Sequence, residues 1–164
     1  WTGEKVISPS ITVDHLREVA RVLRRKPFMW DNCFANDGPK QCKFLKLKAT
    51  TGRTPELLQE VSGWGVNPMN QAYLSQIALL SFANTMKGVP DALKKALSDL
   101  CSKELGAFLL SNLVLWNDVG LAGISDDQKK ELLGELERFD ELAAKEVTRW
   151  LRGEYNVGRE CLSD

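Results

Sequence analysis

The stretch Lys5-Val6-Ile7-Ser8-Pro9-Ser10-Ile11-Thr12-Val13-Asp14-His15-Leu16-Arg17-Glu18-Val19-Ala20-Arg21-Val22-Leu23-Arg24-Arg25-Lys26-Pro27-Phe28-Met29-Trp30 decides how the first third of this chain is read. Lys5-Val6-Ile7 is a short extended candidate. Thr12 can cap a helix, and Leu16, Val19, Ala20 and Leu23 recur at i, i+3, i+4 and i+7, the spacing of one helical face. Arg24-Arg25-Lys26 puts positive charge at the C-terminal end, where the helix dipole favours it. Pro27 forces a stop, and Phe28-Met29-Trp30 reads as a buried strand. Strand, helix and strand within about 30 residues form a βαβ unit, which implies a parallel sheet.

Outward from that unit the pattern changes. Residues 31–54 are polar, with Gly38, Pro39 and Gly52, and a long loop after a strand is where α/β folds keep their chemistry. Thr54-Pro55-Glu56 opens a helix that runs to about Val61 and ends at Ser62-Gly63. Val66-Asn67-Pro68 is a short polar junction. From there on the pattern is helical only. Apolar stripes cover residues 70–86, 90–103 and 104–117. A final helix from Ser125 or Asp126 carries Leu132, Leu136, Phe139, Ala143, Val147 and Trp150. These stripes predict a helical bundle. Trp116 and Trp150 lie on its seams and read as core. The expected organisation is an α/β part over 1–68, a bundle over 69–153 and a tail over 154–164.

The chain has 164 residues, one ordinary domain's worth, and is too short for a whole eight-unit β/α barrel of roughly 250 residues. Lys and Arg number 22, as do Asp and Glu. Zero net charge gives no global field to draw in nucleic acid or an anionic membrane surface, so neither partner is expected. No stretch approaches the ~20 apolar residues of a membrane span, and no signal peptide opens the sequence. Cys33, Cys42, Cys101 and Cys161 are scattered without a CxxC pair, and His15 is the one histidine. No metal site and no cofactor are expected. Packed free thiols suit a reducing compartment, and a cytoplasmic location is the expectation.

Trp30-Asp31-Asn32-Cys33-Phe34-Ala35-Asn36-Asp37 gathers an indole, amides and carboxylates in one short segment. Carboxylates and amides bond sugar hydroxyls, and an aromatic face covers the C–H side of a pyranose ring. On local sequence alone, a loop whose Asn and Asp residues cap its own turns accounts for the same pattern. Asn67-Pro68 is equally a common turn opener. His15 reads as a solvated residue. Lys43, Lys46 and Lys48, alternating with Leu45 and Leu47, read as the solvated face of an edge strand.

Taken together, the motifs resemble a known family. Trp1-Thr2-Gly3-Glu4-Lys5-Val6-Ile7-Ser8, Pro27-Phe28-Met29-Trp30-Asp31-Asn32, Ala35-Asn36-Asp37, Gly52-Arg53-Thr54-Pro55-Glu56-Leu57, and Asn67-Pro68 with Asn70 behind it are similar to consecutive motifs of glycoside hydrolase family 84, the O-GlcNAcase/hyaluronidase-like β-N-acetylglucosaminidases. The match is good over residues 1–86 and looser beyond. The resemblance implies the end of a (β/α)₈ barrel followed by a helical bundle, mainly α in this chain. Trp1 would begin the next-to-last barrel strand, and Phe28 to Trp30 would form the last. Self-association through the exposed barrel edge is a further expectation.

The family removes β-linked N-acetylglucosamine with retention, the substrate's own acetamide acting as nucleophile, an exception to the two-carboxylate scheme. Two adjacent aspartates on an earlier strand do the catalysis, and no pair in this chain matches them. Asp126-Asp127 opens a helix instead. By the same resemblance Trp30 walls the acetamide pocket, and Asn32 bonds near the catalytic aspartate or the acetamide. Asp37 grips O4 and O6 of the sugar, with Asn67 helping from the neighbouring loop. Gly38 stands where the family often has Tyr, and Phe44-Leu45-Lys46-Leu47-Lys48 replaces a segment that often carries Gly-Pro. The reading from a different class is a non-catalytic helical interaction module.

Overall fold

The computed structural model describes residues 1–48 and 51–158. The last part of the expected tail, Cys161 included, lies outside the described residues. The chain is mostly helical with one small parallel sheet. In order the main elements are helix α1 (Val13–Leu23), strand β1 (Phe28–Asp31), strand β2 (Gly63–Val66), and helices α2 (Ala72–Met86), α3 (Ala92–Leu100), α4 (Lys103–Ser111), α5 (Gly120–Gly123), α6 (Asp126–Leu136) and α7 (Leu142–Leu151). Short 3₁₀ turns occupy Gln41–Lys43 and Pro55–Gln59, and a π-helical turn spans Leu115–Val119. No single described helix is long and apolar enough to cross a membrane.

Helix α1 forms as its spacing predicts. The Thr12 side chain accepts from His15 N, and Leu16 is buried. The helix ends before Pro27, at Arg24, which adopts a left-handed φ of 54°.

The first strand of the expected βαβ unit is absent. Lys5-Val6-Ile7 is a bend, because the Ser8 hydroxyl accepts from Lys5 N at 3.0 Å and reaches the Lys5 carbonyl at 2.9 Å. Such local side-chain bonds compete with a ladder. The strand-like neighbour of β1 is Trp1, whose amine donates to Phe28 O (2.9 Å) and whose carbonyl accepts from Trp30 N (2.8 Å).

Phe28 to Trp30 is not the last strand either. β2 lies parallel on the other side of β1, pairing Phe28 with Gly63 and Trp30 with Gly65. Its sequence, Gly63-Trp64-Gly65-Val66, falls between the helix end expected at Ser62-Gly63 and the polar junction expected at Val66-Asn67-Pro68, with no strand between, because glycine is rare in strands. Here the glycines make room for the rings opposite. A Cβ on Gly63 would lie 2.6 Å from Phe28 Cε2. β1 has hydrogen-bonded neighbours on both sides, so among the described residues the edges of the sheet are β2 and Trp1, not β1.

The Thr54-Pro55-Glu56 start yields only the 3₁₀ turn, with Leu57 buried. Lys43 to Lys48 forms no edge strand. The alternation is real in burial, since Leu45 and Leu47 are both buried. However, Leu45 N donates to Trp116 O (2.9 Å) in place of a strand partner.

The helices pack around one continuous apolar core that runs from Leu16 and Met29 through Leu57 and Leu74 to Trp116 and Trp150. α2 packs on α3 and α7, and α6 on α7. Trp116 and Trp150 meet edge-on with centroids 5.9 Å apart. Both of these indole N–H groups are satisfied, Trp116 by Leu109 O (3.1 Å) and Trp150 by Cys42 O (3.0 Å).

The single final helix of the sequence reading is in fact two, α6 and α7, separated by residues 137–141. Ser125 and Gln128 form a capping box at the start of α6, with Asp126 and Asp127 in its first turn. At the break, Phe139 N bonds Leu136 O (3.1 Å). Glu141 turns away to bond Ser102 N (3.1 Å) and Ser102 Oγ (2.6 Å) at the start of α4.

Candidate functional site

Both strands run the same way, so their C-terminal ends open on one edge of the sheet. Asn32 follows β1 there and Asn67 follows β2. Along β1 the side chains alternate. Phe28 and Trp30 point outward, 55% and 51% exposed, while Met29 and Asp31 point inward. Trp30 leans over Gly65, whose missing Cβ would sit 3.6 Å from Trp30 Cε3. The indole thus presents a broad face beside the strand ends.

Asn32 is buried. Its Nδ2 donates to Val6 O (2.8 Å), and its Oδ1 accepts from Asn67 Nδ2 (3.0 Å). Asn67 N in turn bonds Asp31 O (2.8 Å), extending the ladder past β2. The two amides therefore hold each other, and Asn67 Oδ1 has no bond among the described residues. Asp37 is exposed and without a hydrogen bond among the described residues. The structure thus brings Asn32 and Asn67 together, places Trp30 just before them on β1, and sets Asp37 apart on the following loop.

Two buried polar groups around this edge were missed in the sequence. The first is Asp31 with Arg53, 1% and 4% exposed. Arg53 Nε donates to Asp31 Oδ2 (2.9 Å) and Nη2 to Oδ1 (2.8 Å), a bidentate pair. The same guanidinium donates to Ser8 O (2.8 Å), Pro9 O (2.9 Å) and Thr51 O (3.3 Å). Asp31 Oδ1 also accepts from Cys33 N (3.1 Å), which fixes the turn that carries Asn32. A signal was available, because Asp31 shares the inward face of Met29 and so requires a cation. The second is Asn36 with Gln71, joined at 2.7 Å. Local sequence offers no sign of that pairing.

His15 is half-buried and accepts from Trp1 Nε1 (3.2 Å), so it is a packing partner for the first residue. Lys46 lies over the Phe44 ring, and burial lowers its pKa. Among the described residues no group of three or more His, Cys, Asp or Glu side chains could hold a metal ion.

Cys33, Cys42 and Cys101 are free thiols. Burial, then the neighbouring Asp31 charge, pushes Cys33 up to about 12. Against an ordinary thiol near 8.5, its thiolate fraction at pH 8 is lower by roughly 10³-fold. Cys33 is therefore expected to alkylate about 10³ times more slowly in the folded chain than in urea. Mass spectrometry of iodoacetamide-treated protein checks this. Equal rates in both states would show that the thiol is open to water.

A family model described as beta-N-acetylglucosaminidase matches residues 1–104. Protein O-GlcNAcase of Rattus norvegicus and that of Mus musculus are each 34% identical to this chain over 95 residues, covering 58% of the chain and 10% of the relative. An O-GlcNAc hydrolase mutant of Thermobaculum terrenum superposes with a TM-score of 0.71 at 24% identity, covering 94% of this chain and 41% of that one. The chain therefore spans about a tenth of the curated relatives it matches.

Proposed function

Since the chain belongs to the beta-N-acetylglucosaminidase family, glycoside hydrolase family 84, we propose that it is the barrel end and following bundle of a retaining β-N-acetylglucosaminidase. It supplies sugar-binding residues, and a pair of aspartates upstream of Trp1 supplies the chemistry. The substrate is a terminal β-linked N-acetylglucosamine, as O-GlcNAc on protein or in a hyaluronan-like glycan. Its acetamide oxygen attacks the anomeric carbon from within, so no enzyme carboxylate becomes the nucleophile.

The observation that carries this reading is the position of Asn32 and Asn67 just beyond two parallel strand ends, inside the matched segment. In parallel α/β folds ligands bind outside those ends. Trp30 covers the acetamide with its exposed face. Asn32, its amide already held by Val6 O and Asn67, keeps its remaining hydrogen-bonding capacity for the acetamide or the catalytic carboxylate. Asp37, whose carboxylate has no protein partner among the described residues, takes O4 and O6. Asn67 contributes its Oδ1, which has no bond among the described residues. The free thiols support a reducing compartment, and the cytoplasm is the location we propose.

The test is hydrolysis of an aryl β-N-acetylglucosaminide by the 164-residue chain and by the protein with a complete barrel. The longer protein is expected to turn the substrate over. The chain alone is expected to be inactive, since positioned acid–base help alone is worth ~10²–10⁴-fold and the nucleophile's orientation is lost as well. Turnover by the chain alone near the rate of the longer protein would overturn the reading.

A further inference from the structure

We infer that Asn36 and Gln71 are positioning residues through which the helical part of the chain sets the Asp37 carboxylate for the sugar. The inference rests on the reading of Asp37 given above. Asn36 is 1% exposed, and its amide makes three bonds. Nδ2 donates to Gln71 Oε1 (2.7 Å) and Phe44 O (3.1 Å), and Oδ1 accepts from Asn70 N (2.8 Å). One side chain thus clamps both flanks of the loop that carries Asp37 to the junction that carries Asn67.

The far side of the clamp is anchored in the bundle. Gln71 is fully buried and immediately precedes α2. The first turn of α2 is held from α7 by the buried Glu146 carboxylate, which accepts from Tyr73 N (3.0 Å) and Leu74 N (2.9 Å). Phe44 is seated against Gly120, which has φ 67° and whose Cβ would lie 2.6 Å from Phe44 Cε1. A residue larger than glycine there would lift the loop. Asp37 itself makes no hydrogen bond among the described residues, so its placement depends on its neighbour. A misplacement of about 1 Å at a reacting site can cost ~10²-fold, and supporting groups of this kind fix such geometry.

A double-mutant cycle in the protein with a complete barrel decides the matter, with kcat/KM on an aryl N-acetylglucosaminide and Tm recorded for every variant. Asn36→Ala is expected to lower kcat/KM by about 10–10²-fold beside Asp37. In an Asp37→Ala background it is expected to cost less than about 3-fold, because the group it positions is gone. Gln71→Met serves as the milder variant. It keeps the shape and removes only the acceptor facing Asn36 and an amide nitrogen that has no partner among the described residues. It is expected to keep the fold and to lower kcat/KM by about 3–10-fold beside Asp37 and not at all without it. Equal losses in both backgrounds for Gln71→Met would overturn the inference and leave Asp37 in the site. No loss for Asp37→Ala alone would instead remove the reading on which the inference stands.

Discussion

Replacing Arg53 by methionine is expected to lower the stability of the chain by about 3–5 kcal/mol, the usual cost of stripping one partner from a buried ion pair. A domain typically has about 5–15 kcal/mol in hand, so the variant should be largely unfolded at moderate urea. The reason lies in what Arg53 leaves behind. The Asp31 carboxylate is almost wholly shielded from water and faces the guanidinium through two bonds of 2.8 and 2.9 Å. Without the cation it is a lone charge in the interior. The carbonyls of Ser8 and Pro9 lose their donor at the same moment. Arg53→Lys should also be costly, since one ammonium cannot reproduce the planar fork that reaches Asp31 and both carbonyls. Combining Arg53→Met with Asp31→Asn should restore part of the loss, because the lone charge is gone. Urea unfolding of the four proteins measures this. A loss below about 1 kcal/mol for Arg53→Met would mean that water reaches the pair.

Much of the helical architecture was legible in the sequence because helices announce themselves locally. Thr12 and Ser125 cap the helices they were expected to cap, and the stripes through Leu74, Leu97 and Leu105 are buried. Errors came where a periodic pattern is compatible with two backbones. The apolar series Leu132 to Trp150 passes straight through the break at residues 137–141. Phe139 still packs on Phe108 with ring centroids 5.9 Å apart, although it stands in a turn. Burial spacing cannot distinguish one helix from two that share a seam. β2 was hidden for the opposite reason. Its glycines lower strand propensity locally, and only the rings of Phe28 and Trp30 across the sheet make them favourable.

At the candidate site the residue types were legible and the connections were not. Trp30, Asn32 and Asn67 come together at the strand ends because the parallel register of β1 and β2 puts residues 35 apart in sequence side by side. Nothing in either Asn predicts that bond. Asn36 reads as one more polar loop residue, yet it is among the most buried in the segment, because Phe44 and the Asn70-Gln71 segment that leads into α2 close on its amide. A resemblance in five ordered motifs reached the family where local chemistry pointed only to a polar loop.

The second large effect is expected at Asp37. Its carboxylate faces solvent with no protein donor among the described residues, so its substitution should cost little in folding. In the sugar complex, by contrast, it would accept two hydroxyl hydrogen bonds. Bonds to a charged group are worth about 1.5–3 kcal/mol each. With ~1.4 kcal/mol per factor of ten, Asp37→Ala should lower kcat/KM by roughly 10²–10⁴-fold in the protein with a complete barrel. Asp37→Asn keeps an acceptor and the shape but not the charge, and should lose less. If Asp37 merely shaped its own loop beside Gly38-Pro39, the balance would reverse, with Tm falling and activity per folded molecule staying near normal. The decisive measurement is therefore kcat/KM and Tm together on Asp37→Ala. A loss of at least about 10²-fold with Tm unchanged is the predicted result, and an unchanged kcat/KM would contradict the assignment of this chain's loop to the sugar site.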